Sequence, residues 1–256
     1  QTLNGSAFGD GIDWISLKIC SVSATSVSRI LPSGAAILNC PIFSDSSLPS
    51  FFSLVFRSFQ YFLGRSVPVN ASITQASISV KQQVLNDAAL VETMLAVTEK
   101  MVDCFKHDGK ILFCGNGGSA ADAQHLAAEF SGRFYTDRAP LDAEALHVNT
   151  SYLTAVANDY SYNEVYARIV RAKGRKGDIL VGLSTSGNSA NIIEAFKVAK
   201  DKGMIIVGFT GETGGKMKPY CDYLLNIPST DTPRIQECHI TVGHIVCQLV
   251  EEQLFA

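Results

Sequence analysis

From about residue 72 to the end of the chain, apolar positions follow first a helical period and then short continuous runs. Helical spacing over about 76–107 predicts a long helix, and Asp108-Gly109 ends it because glycine readily adopts a left-handed C-cap. Further helices are predicted at about 120–133, 150–170, 189–202 and 233–254. Five apolar runs typical of buried strands lie between or beside them: Ile111–Cys114, Ala145–Val148, Ile179–Leu183, Ile205–Phe209 and Tyr223–Ile227. This alternation predicts an α/β fold with a parallel sheet covered by helices on both faces.

The first 71 residues differ in composition from the rest. They hold only seven charged residues, no glutamate and fourteen serines, and neither period persists there. We interpret 1–71 as a low-charge extension that is poorly ordered, with the folded domain at 72–256. An organellar transit peptide, a weakly ordered extension and a wrongly extended reading frame fit the composition equally well.

Charge and cysteine usage narrow the classes of function. A net charge of −3 disfavours a nucleic-acid or anionic-membrane surface as the main partner. Seven scattered cysteines without a CxxC pair indicate reduced thiols, which favours a cytoplasmic location and disfavours a cysteine metal site. No apolar run reaches the roughly 18 residues that a membrane span needs.

Two strand–loop–helix junctions have the composition of phosphate-binding loops. Glycine permits close backbone approach, hydroxyl groups donate to phosphate oxygens, and a helix N-terminus favours an anion. In a parallel sheet both loops lie at the carboxyl ends of strands, where ligands of such folds bind. The alternative is that the hydroxyl residues are N-caps and turn formers. Neither loop has the spacing of a dinucleotide or Walker motif, which disfavours nucleotide binding. The residues are Asn116, Gly117, Gly118 and Ser119 in the first loop and Ser184, Thr185, Ser186 and Ser189 in the second.

His125 and Glu129 are four residues apart on the helix after the first loop and so share one face. A histidine and a carboxylate at this spacing suit a divalent metal such as Zn²⁺. The alternative is a surface His–Glu pair. The largely apolar residues around them favour a buried site.

The C-terminal helix carries Gln236 and His244 in a mostly apolar stretch. Eight residues correspond to a rise of about 12 Å, too far for both side chains to reach one ion comfortably. We therefore expect either that the site takes groups from neighbouring subunits, or that the helix starts just after Gln236. A core histidine is the alternative for His244.

Asn158 and Asp159 follow a helical stretch and precede an aromatic, polar turn. Their side chains suit sugar hydroxyls. Capping of the next helix is the alternative, and the sequence alone favours it slightly.

Together these motifs closely resemble the phosphoheptose isomerases of the sugar-isomerase (SIS) domain superfamily. The resemblance extends from about Ser72 to Phe255. It is carried by GNGGSAADAQHLAAEFSGRF (115–134), VANDY (156–160), GDILVGLSTSGNSANI (177–192) and DTPRIQECHITVGHIVCQLVEE (231–252). It implies a three-layer αβα, flavodoxin-like fold with a five-stranded parallel sheet.

The resemblance also implies a reaction and the residues for it. Sedoheptulose 7-phosphate becomes D-glycero-D-manno-heptose 7-phosphate through a cis-enediol, an early step toward the ADP-heptose of lipopolysaccharide. Glu129 and His244 correspond to the acid/base pair. The corresponding zinc ligands are His125, Glu129, Gln236 and His244; the substrate contacts are Asn116, Gly117, Gly118, Ser119, Glu129, Asn158, Asp159, Ser184, Thr185, Ser186, Ser189 and Gln236. Family members are homotetramers with active sites at subunit interfaces.

Two other functions remain open from the sequence. A non-catalytic SIS protein that binds a replication initiator keeps both loops but lacks the acid/base pair. An isomerase of a five- or six-carbon sugar phosphate keeps the chemistry, since pocket shape sets the sugar's chain length.

Overall fold

The computed structural model describes residues 70–256, so the predicted extension at 1–71 lies outside the described residues except for its last two. The described part is an alternation of helices and strands. The helices are α1 (70–86), α2 (Ala88–Lys106), α3 (Gly118–Ser131), α4 (Thr150–Asp159), α5 (Val165–Lys173), α6 (Ala190–Asp201) and α7 (Thr232–Phe255). The strands are β1 (Ile111–Gly115), β2 (Ala143–Ala145), β3 (Ile179–Leu183), β4 (Ile205–Gly211) and β5 (Tyr223–Ile227), and short 3₁₀ helices cover Tyr162–Glu164 and Gly215–Tyr220.

The five strands form one parallel sheet in the order β2-β1-β3-β4-β5. This is the flavodoxin-like order that the sequence analysis expected. The chain reverses its direction of winding between β1 and β3, and ligands of such folds bind outside the carboxyl ends of the strands at that point. The two candidate phosphate loops follow these two strands.

Buried side chains form one cluster on each face of the sheet. Leu126 of α3 and Val246 of α7 belong to one cluster, and Phe196 of α6 and Tyr166 of α5 belong to the other. The predicted arrangement of helices on both faces of a buried sheet is confirmed. No described helix is long and apolar enough to cross a membrane.

Most predicted bounds agree with the structure to within two residues, and three predicted elements differ more strongly. The predicted helix at 76–107 is two helices, because Asp87 has an extended backbone and its carboxylate caps α2 by accepting from Leu90 N at 3.0 Å. The predicted helix at 150–170 is divided by a turn and a 3₁₀ helix into α4 and α5. Strand β2 comes two residues earlier than predicted, since the run Ala145–Val148 is mostly a turn at the carboxyl end of the strand.

Candidate active site

The loops after β1 and β3 meet at the switch point and are joined by a pair of amide hydrogen bonds. Asn116 Nδ2 donates to Asn191 Oδ1 at 2.9 Å, and Asn191 Nδ2 donates to Asn116 Oδ1 at 2.8 Å. Tyr162 adds a hydroxyl bond to Asn116 Oδ1 at 3.1 Å. Asn191 is buried in the first turn of α6. The Asn116 side chain is therefore held between the two loops.

The first loop depends on its glycines. Gly117 has a φ of +56°, a conformation that favours glycine, and it is the N-cap of α3 without a side-chain capping bond. A Cβ on Gly118 would lie 1.8 Å from Nε2 of Gln236. The loop is thus shaped for close approach of backbone and side chains. Ser119 is buried in the first turn of α3.

The second loop is fixed by contacts with the segment after β4. Gly187, with a φ of +65°, accepts from the N–H of Met217 at 2.9 Å. Ser184 is buried, and its hydroxyl lies 2.9 Å from the hydroxyl of Ser189, the N-cap of α6. Ser189 makes no capping bond to a helix N–H, so the interpretation of this hydroxyl as a simple N-cap is not supported.

Thr185 and Ser186 complete the second loop and line a surface cavity with residues that follow β4 and β5. The backbone of Thr185 is fixed by Gly211 N, which donates to its carbonyl at 2.9 Å. Ser186 is exposed, and its hydroxyl accepts from Asn188 N at 3.2 Å. Hydroxyl groups and the free N–H groups of a helix N-terminus thus lie together at this loop.

Three potential metal ligands converge where α3 and α7 face each other. Nε2 of His125 lies 2.9 Å from Nε2 of His244 and 3.1 Å from Oε1 of Glu129. One ligand atom from each of the three residues lies within 4.8 Å of the others. The predicted contact between His125 and Glu129 is confirmed, and His244 joins the pair. The expectation that the pair is buried is wrong, since the side chains of His125 and Glu129 are 50% and 20% exposed. No second subunit is needed to bring Glu129 and His244 together.

Burial and neighbouring charges shift two pKa values at the donor cluster, which consists of His125, Glu129 and His244: that of His244 itself and that of Asp122 beside the cluster. Burial lowers the pKa of His244, His125 lowers it further, and Glu129 opposes the shift. Asp122 lies on α3 one turn before His125. Burial raises the pKa of its carboxyl, while a hydrogen bond from Gln236 and the nearby His125 lower it. Its Oδ2 is buried without a hydrogen-bond partner among the described residues.

Gln236 lies on α7 itself, since that helix is continuous from Thr232 to Phe255. The expectation that the helix starts after Gln236 is therefore wrong. Its amide contacts Gly118 and Asp122 at the first turn of α3. The structure thus places Gln236 beside the first loop and one turn along α3 from His125.

Asn158 and Asp159 lie in the last turn of α4, where Asn158 Nδ2 donates to Asp159 Oδ1 at 3.0 Å. Both residues are exposed. They do not cap the next helix, because the N-cap of the following 3₁₀ helix is Ser161.

Sequence reasoning missed three residues of this site: Asp122, Tyr162 and Asn191. Asp122 carried a usable signal, since it precedes His125 by three residues and Glu129 by seven and so shares their face of α3. For Tyr162 and Asn191 the signal is weak. Their partner is Asn116, which is 46 and 75 residues away, and only the folded topology brings them together.

Comparison with known proteins agrees with this geometry. The sequence profile of the SIS domain matches residues 76–211. The chain is 52% identical over 181 residues to the phosphoheptose isomerase of Aneurinibacillus thermoaerophilus. This alignment covers 71% of this chain and 91% of the relative.

Two solved phosphoheptose isomerases are similar in structure. That of Neisseria gonorrhoeae has 47% identity and a TM-score of 0.68, with 72% of this chain and 98% of the other covered. That of Francisella tularensis has 34% identity and a TM-score of 0.70, with 73% and 98% covered. By the fold, the loops and these likenesses, the chain belongs to the phosphoheptose isomerase family of SIS-domain proteins.

Proposed function

We propose that this protein isomerises sedoheptulose 7-phosphate to D-glycero-D-manno-heptose 7-phosphate by proton transfer between C1 and C2 of the open-chain sugar. The observation that carries the proposal is the convergence of His125, Glu129 and His244 beside two glycine- and serine-rich loops at the switch point of the sheet. A carboxylate and an imidazole at one place supply the base and acid that a ketose–aldose exchange requires.

The loop after β3 is proposed to bind the phosphate. The hydroxyls of Ser184, Thr185, Ser186 and Ser189 lie at the N-terminus of α6, where the helix dipole favours an anion. The hydroxyl pair of Ser184 and Ser189 can turn its protons toward phosphate oxygens, since neither side chain is committed to a helix N–H.

The open-chain sugar is proposed to lie between the loop after β1 and the donor cluster. The backbone of Asn116, Gly117 and Gly118, together with Ser119, bounds one side. Gln236 reaches the same point from α7. Asn158 and Asp159 are exposed at the end of α4 and are assigned to sugar hydroxyls.

In the proposed reaction Glu129 removes the proton from carbon, and the cis-enediol forms as that electron pair moves into the new C1–C2 double bond. His244 transfers protons on the sugar oxygens. Its lowered pKa favours the neutral imidazole near pH 7, which can take the proton of the C1 hydroxyl and deliver it to the C2 oxygen. Return of the proton from Glu129 to the neighbouring carbon completes the isomerisation.

The donor cluster also fits a divalent metal. Tetrahedral Zn²⁺ with bonds of about 2 Å places its ligand atoms roughly 3.3 Å apart. The separations of His125 Nε2 from His244 Nε2 (2.9 Å) and from Glu129 Oε1 (3.1 Å) are close to this value. His125, Glu129 and His244 would hold the ion. Gln236 lies eight residues before His244 on the same continuous helix, so as the fourth ligand it is proposed to come from a neighbouring subunit. When bound, a zinc ion polarises a carbonyl and stabilises negative charge on oxygen.

We further propose a cytoplasmic homotetramer with interfacial active sites that serves ADP-heptose and lipopolysaccharide synthesis.

Turnover of sedoheptulose 7-phosphate by the full chain tests the proposal. We expect Glu129→Gln and His244→Ala to lower kcat by about 10² to 10⁴. Glu92→Gln, an exposed glutamate on α2, is the matched control and should keep full turnover. Full turnover in both site variants would contradict the assignment. Turnover only of a five- or six-carbon phosphate would identify a different sugar isomerase, and binding of a replication initiator without turnover would identify a non-catalytic relative.

Removal of the metal tests the cofactor. We expect chelation to lower kcat and readdition of Zn²⁺ to restore it, and His125→Ala to weaken Zn²⁺ binding at least tenfold. The measurements are metal content by mass spectrometry and Zn²⁺ titration of the chelated protein. Unchanged turnover after complete removal of bound metal would show that the ion is not required.

A further inference from the structure

A buried ion pair joins the ends of α3 and α7, outside the donor cluster. Arg138 Nε donates to Glu251 Oε2 at 2.9 Å, and the two side chains are only 3% and 5% exposed. Buried charges are costly unless they are fully paired and hydrogen-bonded. The burial of this ion pair therefore indicates that it has a structural or functional role.

Glu251 holds the segment that follows α3. Its Oε1 accepts from the N–H groups of Tyr135 at 2.8 Å and Thr136 at 2.9 Å, and its Oε2 accepts from Phe134 N at 3.2 Å. Three consecutive backbone donors and one guanidinium thus point at a single carboxylate. This carboxylate determines the path of the chain at 134–136.

Arg138 holds the last turn of α3, which carries Glu129. Its Nη2 donates to the carbonyl of Glu129 at 2.8 Å, and its Nη1 donates to the carbonyl of Phe130 at 2.9 Å. These carbonyls lie in the last turn of a helix that ends at Ser131, where backbone acceptors lack intrahelical partners and helices fray. A guanidinium there satisfies the acceptors and complements the helix dipole. Fraying of this turn would displace the Glu129 carboxylate.

The Glu251 carboxylate is also linked to His244, through Phe134. The ring of Phe134, whose N–H is bound by Glu251, packs against the imidazole of His244 with centroids 5.8 Å apart. Glu251 follows His244 by seven residues and so shares its face of α7. One ion pair therefore fixes the neighbours of both members of the acid/base pair.

We propose that Arg138 and Glu251 are positioning residues, which keep the side chains of Glu129 and His244 in the arrangement that proton transfer requires. This role rests on the proposed function of Glu129 and His244. None of the hydrogen bonds of Arg138 and Glu251 given above reaches the loops after β1 and β3. Their loss should therefore lower kcat far more than it raises KM, since misplacement of a catalytic group by about 1 Å can cost about a hundredfold in rate.

Glu251→Gln is the first test, measured in the full chain at a temperature where circular dichroism shows the variant folded. Glutamine keeps the shape but replaces one acceptor oxygen with a donor that opposes Phe134 N and Arg138 Nε. We expect a 10- to 100-fold lower kcat with KM changed less than about threefold. Glu252→Gln, the exposed neighbour on the same helix, is the control and should match the wild type. An unchanged kcat in folded Glu251→Gln would overturn the proposal.

Arg138→Lys is the second test, and it still tests the proposal if Glu251→Gln does not fold. Lysine keeps the charge but cannot span the carbonyls of Glu129 and Phe130 together with Glu251. The exposed Arg171→Lys on α5 is its control. We expect the same kcat loss, and a tenfold or greater loss of Co²⁺ affinity in the metal-free protein, as found when residues that orient metal ligands are changed.

The Co²⁺ titration separates this proposal from the proposed function. Absence of turnover in the wild type would refute the function, while Co²⁺ affinity would still report whether Arg138 and Glu251 position the donors. Wild-type turnover together with unchanged kcat and Co²⁺ affinity in Arg138→Lys would refute the positioning role alone.

Discussion

At the scale of single residues, Gly118 is where the backbone of the first loop comes closest to a side chain of the site. An added Cβ would overlap the amide of Gln236, which is the flexible end of a long side chain and can move away. Gly118→Ala should therefore leave the free energy of unfolding within about 1 kcal/mol of the wild type, because alanine also favours the helix. Displaced Gln236 loses its bond to Asp122, and kcat/KM should fall about tenfold or more.

The double variant Gly118→Ala/Gln236→Ala checks this mechanism. If the added methyl acts through Gln236, the double variant should be no less active than Gln236→Ala alone. Steady-state kinetics and thermal unfolding of Gly118→Ala, Gln236→Ala and the double variant test whether the methyl acts through Gln236. Additive losses of activity would show that Gly118 acts on the loop itself instead.

The two histidines of α7 in the apolar stripe show what a sequence cannot resolve at this scale. His239 is the core histidine: it is fully buried, its Nε2 lies 3.1 Å from the carbonyl of Thr210, and burial lowers its pKa to about 4 despite that bond. His244 faces α3 and meets His125. Both have apolar sequence neighbours, and only the packing of α3 against α7 distinguishes them.

At the scale of elements, the amide pair of Asn116 and Asn191 couples the starts of α3 and α6. Each of its two neutral hydrogen bonds should stabilise the fold by about 0.5–1.5 kcal/mol. A double-mutant cycle with Asn116→Ala and Asn191→Ala should give a coupling energy of about 1–2 kcal/mol by urea unfolding. Asn158→Ala, an exposed asparagine on α4, should change stability by less than about 0.5 kcal/mol. A coupling near zero would mean that the loops are fixed independently.

The bounds of elements were predicted well where one physical signal dominates. Strand β3 has the bounds of its apolar run, because residues covered on both faces are continuously apolar. Edge strand β5 also has its predicted bounds, although only Leu225 and Ile227 of it are buried. The break at Asp87 was missed because helical spacing of apolar residues continues across it. Asp87 is a good N-cap, but an aspartate also occurs within helices, and its capping bond depends on the bend itself.

At the scale of the whole molecule, the sequence predicted the class of fold and the edge of the sheet at which the site forms. Both follow from local rules, since strand–loop–helix units and right-handed crossovers leave few topologies. The meeting of His125 with His244, which are 119 residues apart, has no local signal. The reach argument from Gln236 and His244 suggested neighbouring subunits, yet one chain gathers His125, Glu129 and His244 because α3 packs directly against α7.

The Arg138–Glu251 pair also makes a prediction for the stability of the whole molecule. Burial alone would raise the pKa of Glu251, but the N–H groups of Thr136, Tyr135 and Phe134 and the Arg138 guanidinium together lower it from 4.5 to about 2. The folded state therefore keeps this carboxylate ionised at pH values where the unfolded chain binds a proton. Its contribution of up to about 3 kcal/mol is fully present above about pH 4.5 and is lost as pH falls toward 2.

Urea unfolding of the metal-free protein at pH 6 and pH 3.5 tests this, since bound metal would add its own proton competition. The stability difference between the wild type and Glu251→Gln should shrink by about 1 kcal/mol or more at the lower pH. Buried His239 titrates alike in both proteins and cancels in the comparison. Glu252→Gln should follow the wild type at both pH values, because Glu252 is exposed. A difference that stays constant with pH would mean that Glu251 stabilises the fold by packing and neutral hydrogen bonds, without a lowered pKa.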